Sequence, residues 1–155
     1  MKNAIPVAVL LIMLSWSVAS AVSLDAASIQ SYVDSYNGKI DKAPDVLKGM
    51  LGNERVNVDI TRNDGSLFQM GFDVKNARID SMVEGGLSDP SIVVTTTESA
   101  VANIKGSDDP ITAFQNQMDL GQVRIEGENF VTKAKIAAVL SSGGVLQFFY
   151  NVFFG

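Results

Sequence analysis

The side chains that most often carry out protein chemistry are absent from this chain. Its 155 residues contain no histidine and no cysteine. Histidine is the usual general base near neutral pH, and together with cysteine it supplies most transition-metal ligands. Ser-His-Asp catalysis, thiol chemistry, disulfides and histidine- or cysteine-based metal sites are therefore excluded. Any reaction would have to rest on carboxylates, lysine, tyrosine or a hard cation.

The acidic residues and serines that remain are spaced for structure rather than for catalysis. Asp108 and Asp109 stand directly before Pro110, the arrangement of a helix cap. The Asn-Asp-Gly run at 63–65 lacks the alternating acids and the following Glu of a calcium loop, so it predicts a hairpin turn. The run 141–144 lacks the Gly-x-Ser-x-Gly spacing of a nucleophile elbow. We therefore expect no enzymatic activity, no metal and no cofactor.

The charge balance argues against one class of partner. The chain carries a formal net charge of -5, and its nearest approach to a basic cluster is Lys133 with Lys135. A negative surface repels the phosphates of nucleic acids. Nucleic acid is therefore not an expected partner.

The N-terminus has the pattern of an export signal. Lys2 is followed by an apolar run from Ala4 to Trp16, and the small residues 19–21 (Ala-Ser-Ala) suit a signal peptidase. We interpret residues 1–21 as a signal peptide cleaved after Ala21, with an uncleaved membrane anchor as the alternative. Either interpretation predicts an extracytoplasmic protein, secreted or membrane-anchored.

The mature part begins with helical patterns and continues with strands. Apolar residues in 24–36 follow a helical period, and a short second helix is expected from Pro44 to residue 51. The period then changes to two in 56–60 and 68–74, two strands joined by the turn at 63–65. Further strands are expected at 77–83 and 92–96.

Helices alternate with one more strand in the last third. Thr95 and Glu98 have the spacing of a capping box for a helix that ends at Gly106, and Pro110 begins another. A short strand at 122–126 and a helix at 130–139 follow. Because strands and helices are segregated, we expect one α+β domain, a largely antiparallel five-stranded sheet with helices covering one face. Its parts are a helical segment (22–53), a core (54–140) and a C-terminal segment (141–155).

Several local motifs resemble those of the sterol carrier protein type-2 family. From Asp89 to Glu128 the chain has an acid before a strand, a helix ending in glycine, a proline-begun helix with an aromatic, and a basic strand ending in glycine. These places are held by Asp89, Gly106, Pro110, Phe114, Arg124 and Gly127. The run NFVTKAKIAAVL is similar to the family's last core helix. The resemblance extends over roughly 54–140. The export signal at 1–21 would make this chain an exported member of the family.

The resemblance implies a non-catalytic domain with an apolar cavity between sheet and helices. The side chains expected to line it are Phe68, Met70, Phe72, Ile104, Phe114, Met118 and Phe130. Methionine and phenylalanine suit a lipid or another long apolar ligand, because they repack around chains of different shape. The alternative is that all seven belong to an ordinary core.

The C-terminal segment is unusually aromatic. Residues 145–155 are too few to span a bilayer, and left exposed they would form an apolar patch. We expect them to cover the cavity as a lid, to dock on lipid as a peripheral membrane contact, or to form a homodimer contact, with core packing as the remaining possibility. The aromatic side chains concerned are Phe148, Phe149, Tyr150, Phe153 and Phe154.

Two functions are thus expected from the sequence. The first is binding or transfer of a lipid or similar apolar ligand outside the cytoplasm. The second is an interaction or dimerisation module of an envelope-associated complex that uses the same fold.

Overall fold

The computed structural model describes residues 24–43 and 52–154, apart from the side chains of Phe130, Lys135, Val139 and 149–154. The first helix, α1 (Ala26–Lys39), begins where the Asp25 carboxylate accepts a hydrogen bond from the Ser28 amide. A single 3-10 turn (Ile40–Lys42) follows it. The predicted helix at 44–51 and the predicted signal peptide at 1–21 lie outside the described residues.

Five strands form one mixed sheet. They are β1 (Glu54–Thr61), β2 (Leu67–Lys75), β3 (Arg78–Glu84), β4 (Ile92–Thr97) and β5 (Arg124–Gly127), in the order β3-β2-β1-β4-β5. All neighbours are antiparallel except β1 and β4, which are parallel. The predicted α+β class with a largely antiparallel sheet is confirmed.

Four helices complete the described chain: α2 (Glu98–Lys105), α3 (Pro110–Asp119), α4 (Phe130–Leu140) and α5 (Gly143–Phe154). Their packing links them into one layer, since α3 lies against α2 and α5, and α5 also contacts α1 and α4. The last helix was expected only as an aromatic segment of unspecified structure. Ser141 and Ser142 separate it from α4. Gly143 and Gly144 are its first two residues.

The sheet buries one face. Along β1 and β2 every second side chain is buried, including Val56, Val58 and Ile60 on β1. The alternation follows from the two-residue period of a strand, and the helices cover this inner face. The outer face keeps the polar positions, such as Asn57 and Asp59.

The connection from β3 to β4 crosses the outer face. The Asn57 side chain accepts a hydrogen bond from the Leu87 amide (2.7 Å) and donates one to the Leu87 carbonyl (2.9 Å). Gly71 lies beneath this connection, and a Cβ there would stand 2.7 Å from the Leu87 backbone nitrogen. A side chain at position 71 would therefore displace the crossing segment.

One predicted helix start is wrong. Thr95 lies within β4, and the cap of α2 is Thr97, whose hydroxyl accepts from the Ala100 amide. The Glu98 carboxylate accepts a hydrogen bond from the Asn63 amide instead of closing a capping box. The strand ends at Thr97, one residue beyond the expected range of 92–96, because β4 pairs with β1 along Thr96 and Thr97.

Candidate functional site

The inner face of β2 supplies the floor of the apolar interior. Phe68, Met70 and Phe72 alternate along this strand and are all buried, with 8%, 1% and 0% of their surfaces exposed. Phe72 pairs with Val56 and Met70 with Val58 on the neighbouring strand β1. The floor is thus a continuous apolar surface across the two central strands.

The helices α2 and α3 close over this floor. Ile104 on α2 and Phe114 on α3 have no exposed surface and belong to the same apolar cluster as the strand residues. Asp109 fixes the start of α3 by accepting hydrogen bonds from the Thr112 amide (3.1 Å) and hydroxyl (2.7 Å). Five of the predicted ligand-binding residues therefore meet in one buried core.

A cavity of about 200 Å³ opens between α3 and the end of α4. It is lined by Phe114, Gln115, Met118, Asp119 and Leu140. The apolar lining residues are buried or half-buried, whereas Gln115 and Asp119 are exposed. Phe114 and Met118 stand one helical turn apart, and so do Gln115 and Asp119, so α3 presents an apolar stripe beside a polar rim. The cavity therefore has an apolar wall and a polar rim.

The last helix is anchored in the core by its first turn. Val145 and Leu146 are 1% and 2% exposed, and Phe148 is partly buried against the same cluster. The backbone of α5 continues through Phe149, Tyr150, Phe153 and Phe154, whose side chains lie outside the described part. The helix α5 contacts both α3 and α4, the two helices that flank the cavity.

A buried tyrosine joins α1 to the turn between β2 and β3. Tyr36 on α1 is fully buried, and its hydroxyl donates to the Ala77 carbonyl at 2.7 Å. Burial raises the pKa of Tyr36 well above its usual range, and nearby Arg78 offsets part of this effect. Asn37 adds two hydrogen bonds to the backbone of Ile79. Three hydrogen bonds thus tie α1 to the backbone of Ala77 and Ile79.

The predicted ligand-binding residues fall into three groups. Phe68, Met70, Phe72 and Ile104 lie in the closed core, while Phe114 and Met118 also line the cavity. The side chain of Phe130, on the first position of α4, lies outside the described part. Whether any of them contacts a ligand stays a prediction.

Sequence reasoning missed Gln115, Asp119 and Leu140 as lining residues. The signal for the two polar ones is their position in α3, each next to a predicted apolar residue and one turn apart. Leu140 carried no such signal, because its role depends on how α4 crosses α3.

Two of the carboxylates, Asp64 and Asp109, accept hydrogen bonds from nearby backbone amides. Asp64 accepts a hydrogen bond from the Ser66 amide, and its hydrogen bonds with Ser66 lower the pKa of Asp64 below its usual value. The hydrogen bonds from Thr112 lower the pKa of Asp109 in the same way. Within the described ranges, no three acidic side chains are grouped to hold a metal ion. No described helix combines the length and apolar character needed to cross a bilayer.

Comparison with known proteins identifies the fold through solved structures. No family model matches the chain, and no curated protein matches it. A conserved protein of Thermus thermophilus, suggested to be a sterol carrier protein, matches over 90% of this chain and 96% of its own, with 10% identity and a TM-score of 0.57. A crystal structure of sterol carrier protein 2 matches over 83% and 95%, with 11% identity and a TM-score of 0.54. The chain therefore has the sterol carrier protein 2 fold.

Proposed function

We propose that this chain, which has the sterol carrier protein 2 fold, binds a lipid or another long apolar molecule. The observation that carries the proposal is the cavity between α3 and α4, with buried Phe114 in its lining and Gln115 and Asp119 exposed. The apolar chain of the ligand enters past Met118 toward the sheet. Its polar end stays at the rim, where the Gln115 amide and solvent solvate it.

Binding a full acyl chain requires the interior to expand. The cavity of about 200 Å³ is smaller than the roughly 300–1,000 Å³ of sites that enclose a small-molecule ligand. The helices on either side supply the room, because α4 and α5 pack on each other and so move as a pair. In this proposal α5 acts as the lid, and its movement with α4 widens the gap beside Leu140.

The energetics suit exchange with a membrane. Removing a chain of about sixteen carbons from water is worth about 12 kcal/mol, against association costs of about 4–15 kcal/mol. A bilayer offers the same burial, so transfer between bilayer and cavity is nearly balanced. Such a balance favours a carrier that loads and unloads.

The proposal places this carrier outside the cytoplasm. The support is the export pattern at 1–21, from Lys2 to the Ala-Ser-Ala run. Intact mass measurement on the protein from the medium, the membrane fraction and the cytoplasm tests it. A chain starting at Val22 supports cleavage, a membrane-bound full-length chain supports the anchor, and a full-length chain in the cytoplasm contradicts both.

Uptake of a fluorescent fatty acid tests the site. Met118→Trp places a bulky ring in the cavity, so we expect uptake to fall by about tenfold or more. The matched control is Leu120→Trp, because Leu120 lies two residues further along, is 69% exposed and does not line the cavity. Equal uptake by both variants and the unmodified protein would place the ligand elsewhere.

A further inference from the structure

A second cavity lies on the outer face of the sheet, at the end where β1 and β4 finish. Its volume is about 150 Å³, and its lining includes Thr61, Thr95, Thr97, Gly121, Gln122 and Arg124. This is about half the lower limit for sites that enclose a drug-sized ligand. The space therefore fits a small group and not a lipid chain.

Strand register brings the polar side chains of this cavity together. Thr61 pairs with Thr97 between β1 and β4, and Thr95 pairs with Arg124 between β4 and β5. Thr61 and Thr95 alternate with the buried Ile60 and Thr96, so their hydroxyls lie on the outer face. Three hydroxyls and one guanidinium are thus placed along adjoining strands.

The wall of the cavity is fixed by hydrogen bonds. The Thr96 hydroxyl donates to the Gln122 carbonyl at 3.0 Å, which ties the loop before β5 to strand β4. The Gly121 amide donates to the Met118 carbonyl at 2.9 Å. Gly121 has a φ of 70°, a conformation that favours glycine. The loop is therefore held in place without a ligand.

Of the described residues that line the cavity, the one with a charge is Arg124. Among the four arginines, all within the described ranges, Arg55 pairs with Asp89, Arg78 pairs with Asp41 and Arg62 donates to the Leu24 carbonyl. Arg124 has no hydrogen-bond or ion-pair partner among the described residues. No carboxylate lies among the residues lining its cavity. A guanidinium beside hydroxyl donors matches the geometry of an oxyanion.

We propose that this cavity binds a small oxyanion of the phosphate type. Arg124 supplies the charge and two parallel donors, and the Thr61 and Thr95 hydroxyls donate to the remaining oxygens. The anion is either free phosphate or the phosphate of a larger organic molecule. The site is separated from the apolar interior by the sheet, so it does not depend on the proposed lipid binding.

Nuclear magnetic resonance titration with inorganic phosphate, at constant ionic strength held with chloride, tests the site. We expect saturable shifts of the backbone amides at 95–97 and 121–124. Arg124→Gln should weaken binding by about tenfold or more, the worth of a lost charge-assisted hydrogen bond. Thr95→Val removes a hydroxyl while keeping a β-branched strand residue, and should weaken binding several-fold.

The control variant is Lys42→Gln, which removes the same charge at the other edge of the sheet. Lys42 follows Asp41, which pairs with Arg78 on the edge strand β3. The Lys42→Gln variant should bind phosphate as tightly as the unmodified protein does. Unsaturable shifts, shifts spread over all basic residues, or unchanged binding by Arg124→Gln would overturn the proposal.

A parallel titration with glycerophosphocholine identifies the source of the phosphate. Tighter binding than inorganic phosphate at the same amides supports a phospholipid headgroup as the ligand. Equal or weaker binding at those amides supports the free anion. If neither inorganic phosphate nor glycerophosphocholine binds, the proposal is overturned.

Discussion

Two polar side chains, Tyr36 and Asn57, join the sheet to the segments packed against it. Tyr36 reaches from α1 to the turn between β2 and β3, where Ala77 adopts a φ of 68° that is unusual for a residue other than glycine. Asn57 holds the crossing segment on the other face. Tyr36 therefore ties α1 to the turn between β2 and β3, and Asn57 ties the connection from β3 to β4 to the outer face of the sheet.

Replacing Tyr36 with phenylalanine should lower the free energy of unfolding by about 1–3 kcal/mol near neutral pH, because the Ala77 carbonyl loses its buried partner. The pKa of Tyr36 is raised in the folded protein, so this tyrosine stabilises the fold below its unfolded pKa of about 10. The contribution is lost as the pH rises above that value. Denaturant unfolding at about pH 7 and about pH 11 measures both effects. A gap between the two proteins that stays constant with pH would contradict this role.

Replacing Asn57 with alanine should lower the free energy of unfolding by about 1–3 kcal/mol, because both backbone groups of Leu87 lose their partner. The control is Asp59→Ala, on the same strand and face, which removes only a side-chain bond from Gln69. Denaturant unfolding and amide exchange of residues 85–91 measure the effect. Similar losses in the two variants would show that Asn57 does not hold the crossing segment.

Some contacts of single residues could not be predicted from the sequence. Gly71 interrupts an otherwise regular strand, and a strand glycine signals close approach of another backbone. Nothing in the sequence names Leu87 as the approaching residue. Likewise Thr95 and Thr97 both have the chemistry of a helix cap, and the pairing of β4 with β1 decides between them.

At the scale of elements, local signals predicted most of the fold. The two-residue period of 56–60 and 68–74, with a turn between them, is sufficient to predict the hairpin of β1 and β2. The Asp-Pro start of α3 needs only Asp109 and Pro110. The parallel pairing of β1 with β4 and the crossing connection are long-range contacts that depend on the whole sheet, and no local pattern encodes them.

The start of α3 should depend on acid. Hydrogen bonds from Thr112 lower the pKa of Asp109, so its stabilising contribution is present above its unfolded pKa of about 3.9 and is lost as the pH falls through the lower folded value. Asp109→Asn keeps a capping oxygen but does not titrate. Thermal unfolding from neutral to acid pH should show the stability difference between the two proteins shrinking in acid. A difference independent of pH would contradict the cap.

The last helix should be part of the folded core. Leu146→Ala should lower the free energy of unfolding by about 2–5 kcal/mol, the usual effect of truncating a buried leucine. Leu120→Ala is the matched control, and its exposed side chain should leave stability within about 0.5 kcal/mol. Denaturant unfolding of both variants makes the comparison. Equal effects would show that α5 is not anchored through Leu146.

At the scale of the whole molecule, the fold places two different environments on opposite faces of one sheet. The inner face is apolar and opens between α3 and α4, and the outer face carries the cavity beside Arg124. The sequence predicted the apolar interior and most of the residues in it, because alternation and helical period report which side chains are buried. It did not predict the gap at Leu140 or the outer cavity, since both arise from elements distant in the chain.

The central claim is that the interior holds a lipid-like molecule. Native mass spectrometry of residues 22–155, purified without detergent from the producing cells, tests it most directly when followed by solvent extraction and lipid identification. We predict a stoichiometric adduct of lipid mass that is lost in Met118→Trp and retained in Leu120→Trp. A bare chain mass, together with no uptake of a fluorescent fatty acid, would contradict the claim and favour an interaction module with a closed core.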